Sequence, residues 1–186
     1  MLYDRAHSMP PTPRRTQTER RETTKRTLID HAMQAFAARG FEPTTLADIA
    51  DAAGVSKGGV HHHFAAKRDL VVPVFRAATD SVRLRIVDAA SAERAPIARL
   101  RAAFDCARAI VESDDAAAAA WVECVIAARR DADLAKVIAV ERAAIETALA
   151  TAVRRELDAA GLPWGDWSGT AATAALGWAI GRVLRK

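Results

Sequence analysis

At 186 residues the chain can bury one good core or two small ones, and it is half apolar but poor in aromatics, with alanine as the main filler, a composition that favours packed helices over sheets. No run reaches the roughly 20 apolar residues of a membrane span, so no membrane partner is expected. Residues 1–90 carry 14 Lys/Arg against 10 Asp/Glu, whereas residues 91–186 carry 13 of each; the positive excess of the first half suits a polyanionic partner, though a solvated face would look the same.

Residues 1–18, with Pro10, Pro11 and Pro13, read as a disordered tail. They place charges and prolines where a secretory signal has an apolar core, so a cytoplasmic location is expected. Leu28, Ala32 and Phe36 at spacing four, with Ile29, Met33 and Ala37 beside them, predict a first helix over about 19–39, closed by Gly40. In "TTLADIADAAGVSKGGVHHHF", Thr45 and Asp48 read as a capping box opening a short helix with the apolar face Leu46, Ile49, Ala50 and Ala53. Gly54 suits a left-handed turn, and Ser56 caps a second short helix with Val60 and Phe64 at core spacing. Two short amphipathic helices joined by a glycine turn form a helix-turn-helix.

The three consecutive histidines follow from that pattern. Neighbouring helical side chains point about 100° apart, so His61, His62 and His63 do not converge on one ion, and no metal or other cofactor is expected. No sharp-turn nucleophile motif accompanies them. The outward face of this helix is Lys57, Gly58, Gly59, His61 and His62. Each glycine costs roughly 1 kcal/mol in a helix relative to alanine, so the pair reads as backbone that must come close to another molecule, or as a poorly formed exposed turn.

The segment "AFAARGFEPTTLADIADAAGVSKGGVHHHFAAKRDL", within residues 24–70, resembles the DNA-binding region of the tetracycline-repressor (TetR) family of bacterial transcriptional regulators. The aromatic and glycine closing the first helix, the "AGVSKG", the "HHF" and the lysine three residues after the phenylalanine are in register. The resemblance implies an all-α homodimer: a three-helix head with the helix-turn-helix over 19–66, then a ligand-binding and dimerisation domain over 67–186. It implies that Thr45 and Lys67 meet phosphates of duplex DNA, that Lys57 and Gly58 open the recognition helix near base edges with Ser56 and Gly59 beside them at the DNA, and that His61, His62 and His63 touch phosphate and sugar. Three positions depart from the family: His61 stands for a tyrosine, Ala47 for a frequent arginine, and Ala66 for a capping residue.

Beyond the head, helices are predicted over about 67–90, with a kink at Pro73, over 96–112 with Ile97, Leu100, Phe104, Ala107 and Val111 inward, over 116–128, and over 133–160 closing at Gly161. Glu123, alone in the apolar run "AAAAAWVECVIAA", either faces water or anchors a small-molecule pocket with Phe75, Phe104, Trp121 and Val125. Cys106 and Cys124 fit a reducing compartment as small core residues. The tryptophans of "GLPWGDWSG" are loop anchors or interface residues. On the last helix, about 168–185, the small strip Ala174, Gly177 and Gly181 is assigned to the dimer axis. The reading overall is a repressor, not an enzyme, released from a palindromic operator by an inducer. A ligand-independent architectural DNA binder and a small helical enzyme are the alternatives, the latter lacking any histidine or tyrosine in the second half.

Overall fold

The computed structural model describes residues 16–162, and within them every regular element is helical. The helices are α1 (Gln17–Arg39), α2 (Leu46–Ala52), α3 (Lys57–His61), α4 (Val71–Ser91), α5 (Pro96–Glu112), α6 (Ala116–Ala128) and α7 (Ala132–Ala159), with a 3-10 turn over Lys67–Leu70 leading into α4. The last-helix strip Ala174, Gly177 and Gly181 and the tryptophans of the preceding loop lie outside the described residues. No helix among the described residues is long and apolar enough to cross a membrane.

Local chemistry sets the ends. Thr16 caps α1 with a complete capping box, its Oγ1 accepting the Glu19 N–H while the Glu19 carboxylate accepts the Thr16 N–H, so the helix starts two residues before the predicted boundary. Thr45 and Asp48 form the predicted box on α2, Asp115 caps α6, and Asp131 caps α7. The fourth helix differs from expectation. Residues 67–70 are 3-10, and Pro73 falls in the first turn of α4, where its missing N–H has no intrahelical partner to lose. The proline therefore marks a junction, and the predicted mid-helix kink is not needed.

One hydrophobic core runs through the head and the body. Leu28, Ala32 and Phe36 of α1 meet Ile49 and Ala50 of α2, Val60 and Phe64, and then Leu70, Val71, Val74 and Phe75, with Ala120, Cys124 and Ala127 of α6 completing the cluster. The α6 helix packs on both α1 and α4, so it touches the head directly. Burial pushes the Cys124 thiol far above its ordinary range, with the Glu123 charge adding to it, as suits a packing residue. On α5 the inward face carries Ile110, while Ile97 and Phe104 are about half exposed. The expected stripe holds in part: Leu100, Ala107 and Val111 are partly buried as α5 packs on α4 and α7, whereas Ile97 and Phe104 are not covered.

The α1–α2 loop is held by side chains remote in sequence. The Phe41 N–H donates to Glu123 Oε2 at 2.8 Å, and the Lys67 ammonium donates to the carbonyls of Phe41 and Glu42 at 2.8 and 2.9 Å. Lys67 Nζ also lies 4.2 Å from the centre of the Phe41 ring, whose edge meets Phe36. Gly40 is required twice over: its φ is +86°, and an added Cβ would come within 3.2 Å of Glu123 Oε2. The buried Thr44 hydroxyl closes the loop by donating to the Gly40 carbonyl.

Removing either side chain leaves one partly buried backbone group of Phe41 without its partner, its N–H or its carbonyl, at about 1–3 kcal/mol. Glu123→Ala and Lys67→Met should each lower stability by that amount in urea unfolding, and Glu123→Ala should speed exchange of the Phe41 amide. Glu123→Gln, which keeps an acceptor oxygen, should lose less. Wild-type stability and Phe41 exchange in Glu123→Ala would show that the loop does not depend on this bond.

Candidate nucleic-acid interface

The helix-turn-helix face is built from two capped helices whose apolar sides leave no freedom in how the polar sides point. Ile49, Ala50 and Val60 are sealed in the core, so α2 and α3 present their other faces to solvent. The Thr45 Oγ1 accepts the Asp48 N–H at 3.1 Å, which pins the side chain at the exposed start of α2. The Asp48 carboxyl is held below its usual range, first by the Thr45 N–H, then by the Thr45 hydroxyl, with a smaller contribution from Arg39, against the opposing effect of burial. Gly54 takes φ +66° in the turn, as expected. Ser56 Oγ accepts the Gly59 N–H at 3.0 Å.

The two glycines of α3 have different reasons. A Cβ on Gly59 would meet Ser56 Oγ and Val55 Cγ1 at 3.0 Å, so glycine there serves the cap itself. A Cβ on Gly58 would meet nothing within 4 Å, and the residue is exposed beside the exposed Lys57. Only Gly58 is therefore open backbone that another molecule could approach closely.

His61 and His62 are exposed and His63 is partly buried, at the end of α3. Burial, then the charges of Arg21, His62 and Lys25, hold the His63 imidazolium below its usual range, with Glu22 opposing them. His62 and His63 face the first turns of α1 across two adjoining shallow clefts. One, of about 380 Å³, is lined by Gln17, Thr18, Arg21, Glu22, Lys25 and His63. The other, of about 420 Å³, is lined by Gln17, Arg20, Arg21, Thr24, His62 and His63. Sequence reasoning missed these α1 residues, although Arg21 and Lys25 continue the Leu28, Ala32, Phe36 stripe backward and that register could have revealed them.

Two groups of expected site residues stand differently from expectation. Lys67 does not point outward with Lys57; two of its three donors are taken by the α1–α2 loop, whose carbonyls lie outside any helix ladder. The five residues assigned to a small-molecule pocket do not converge. Phe75 is fully buried with its ring 5.2 Å from that of Trp121, and Val125 packs against the same core. Phe104 is 55% exposed on α5. Glu123 neither faces open water nor joins the aromatic pair, because the Phe41 N–H claims its carboxylate. Among the described residues, no three His, Cys, Asp or Glu side chains come together in a way that could hold a metal ion.

The family model described as bacterial regulatory proteins, tetR family, matches residues 28–74. The HTH-type transcriptional repressor KstR2 of Mycobacterium tuberculosis is 38% identical over 77 residues, 41% of this chain and 38% of the relative, so the chain spans well under half of that relative's length in the match. Among solved structures, Salmonella enterica GusR superposes with a TM-score of 0.66 at 22% identity, over 87% of this chain and 82% of that one. AibR in complex with isovaleryl coenzyme A and operator DNA does so with a TM-score of 0.58 at 20% identity, over 84% of each. These two structural likenesses speak for the fold. Residues 28–74, which include the whole helix-turn-helix, match the model of the N-terminal region of the tetR family of bacterial regulatory proteins, and the match covers about a quarter of the chain.

Proposed function

We propose that this protein is a sequence-specific, duplex-DNA-binding transcriptional repressor that acts as a homodimer and is released from a palindromic operator by a small molecule. The observation that carries the DNA-binding reading is the exposed α3 face, where Lys57 has no ion-pair partner among the described residues and Gly58 is sterically open, on a helix whose other side is fixed in the core. Lysine can donate to guanine O6 and N7, and a side-chain-free neighbour lets the backbone approach the groove wall. Thr45, Ser56 and the histidines would then fix register on phosphate and sugar. A two-fold dimer would set two such helices roughly 34–36 Å apart, in successive major grooves.

Release by a small molecule fits the placement of α6. Trp121 stacks on Phe75 of α4, and two residues along, Glu123 holds Phe41 in the head. A ligand that favoured another position of α6 beside Trp121 and Val125 would change the footing of the α1–α2 loop, and only differential affinity for the two positions is required. Selecting operator sites from random duplexes and then screening small molecules for release tests both parts. Acyl-coenzyme A thioesters, the ligand class in the AibR structure, form a reasonable first set.

Lys57→Ala should lose about 1–3 kcal/mol of preference for the selected operator over random DNA. Retained preference would remove Lys57 from base reading. Gly58→Ala should leave the fold intact, or stabilise it by up to about 1 kcal/mol, yet weaken operator binding about tenfold or more, the cost of one lost close contact. Gly59→Ala should gain less stability than Gly58→Ala, because its Cβ presses on Ser56 Oγ and Val55 Cγ1 and so offsets the roughly 1 kcal/mol that alanine contributes in a helix. Thermal unfolding and anisotropy titrations on both variants separate the two roles.

A phosphodiester beside His63 would stabilise its imidazolium, so the complex would hold a proton that the free protein lacks between the two pKa values. Operator affinity should therefore rise as the pH falls from about 7.5 toward 6. The rise should flatten in His63→Gln, and an equal rise in that variant would place the titration elsewhere.

A further inference from the structure

The first three turns of α1 do something the core does not ask of them. Residues 17–27 are all at least partly exposed, whereas the same stripe is fully buried from Leu28 onward. At 1.5 Å per residue this is roughly 16 Å of helix standing beyond the core, kept in shape by the Thr16–Glu19 box. On the stripe that would be apolar if it packed, the sequence places Arg21 and Lys25, and these face His62 and His63 at the end of α3 across the two adjoining clefts.

The charges there lie close together, whereas many arginines elsewhere are paired across helices. Arg39, Arg68, Arg76, Arg85, Arg99 and Arg130 each meet a carboxylate. Among the described residues Arg20, Arg21 and Lys25 have no ion-pair partner, and Glu22 is the one acidic residue lining either cleft. Cations gathered without counter-charges repel one another, and an anion between them relieves that repulsion. The depressed imidazolium of His63, which feels Arg21, His62 and Lys25 against Glu22, reports the same local field.

We propose that the α1 overhang and the end of α3 form a groove that binds the phosphodiester backbone of DNA, making α1 a second clamp that is separate from base reading by Lys57. The clefts are shallow, polar-lined and joined through Gln17, Arg21 and His63, which suits a running backbone better than an enclosed small anion. Because His62 and His63 directly follow α3, a phosphate held there fixes how far the recognition helix enters the groove. The inference rests on the DNA-binding reading given above.

The test uses the full chain on its selected operator and on a random duplex of equal length, across a series of salt concentrations. Arg21→Gln/Lys25→Gln keeps helix-forming residues, and circular dichroism checks its fold. It should bind both duplexes more weakly by the same factor, and the slope of log affinity against log salt should become shallower by about 0.9 for each cation removed from a phosphate. Arg21→Lys/Lys25→Arg should keep the wild-type slope, while Lys57→Ala loses operator preference instead. Unchanged affinity and slope in the Gln pair, with selective wild-type binding, overturns the groove and leaves the repressor reading standing. A loss confined to operator preference overturns it as well. A wild-type protein that binds no duplex selectively overturns both readings. Inorganic phosphate competing as well as duplex DNA at equal phosphate concentration would assign the groove to a free anion and overturn the backbone clamp.

Discussion

The peptide of Phe41 is the joint on which the arrangement turns. Its N–H is taken by a carboxylate 82 positions away and its carbonyl by an ammonium 26 positions away, while its ring lies between Phe36 and that same ammonium. Loop backbone in a partly buried setting must find such partners or bear an unpaired polar group. Here they come from α6 and from the turn before α4, so the head is fastened to the body by the bonds that satisfy its own loop. Arg130 on Glu42 and Arg68 on Asp131 add exposed ion pairs at the same seam, and exposure keeps each worth little. The partly buried Glu123 bond and the shared core set the geometry.

The distribution of charge follows from the same division of labour. In the body, arginines reach across helices, as Arg85 does to the Asp115 cap of α6 and Arg99 does to the buried Glu156. Those charges are consumed in holding helices together. In the head, Lys57, Arg20, Arg21 and Lys25 stand without acidic partners among the described residues, beside histidines. Residues 16–90 carry 11 Lys/Arg against 9 Asp/Glu, and Lys57, Arg20, Arg21 and Lys25, without acidic partners, give the helix-turn-helix side a field that attracts a polyanion.

What could be read from the sequence was whatever local rules decide. The Thr45–Asp48 box, the Ser56 cap, the glycine turn at Gly54 and the core positions Leu28, Phe36, Ile49, Val60 and Phe64 each depend on neighbours a few residues apart, and the structure has them as expected. The errors concern partners that only the tertiary fold supplies. The resemblance put Lys67 on a phosphate and the apolar run left Glu123 facing water or a pocket, whereas in the structure both hold one loop remote in sequence. Phe104 sat on a regular apolar stripe, but only packing against α4 and α7 decides which of its residues are covered. The α1 cations were passed over because helical exposure depends on where a neighbouring helix ends. Gly58 and Gly59 looked alike, and only the positions of Ser56 and Val55 tell them apart.

The position of α6 explains how one short helix can serve both halves. Its N-terminal cap, Asp115, is gripped by Arg85 of α4; its middle stacks Trp121 on Phe75 of the same helix; and the next residues reach into the head through Glu123. Its apolar run makes it stiff and buried, with Ala117, Ala120 and Ala127 allowing close approach to its neighbours. A buried helix tied at its start to α4 and near its middle to the α1–α2 loop cannot slide without changing one of those ties. Because the Phe41 N–H has no other partner among the described residues, a shift of α6 either carries the loop with it or leaves that group unsatisfied. Only the first of these would move the helix-turn-helix relative to the body, and it would do so through α6 itself.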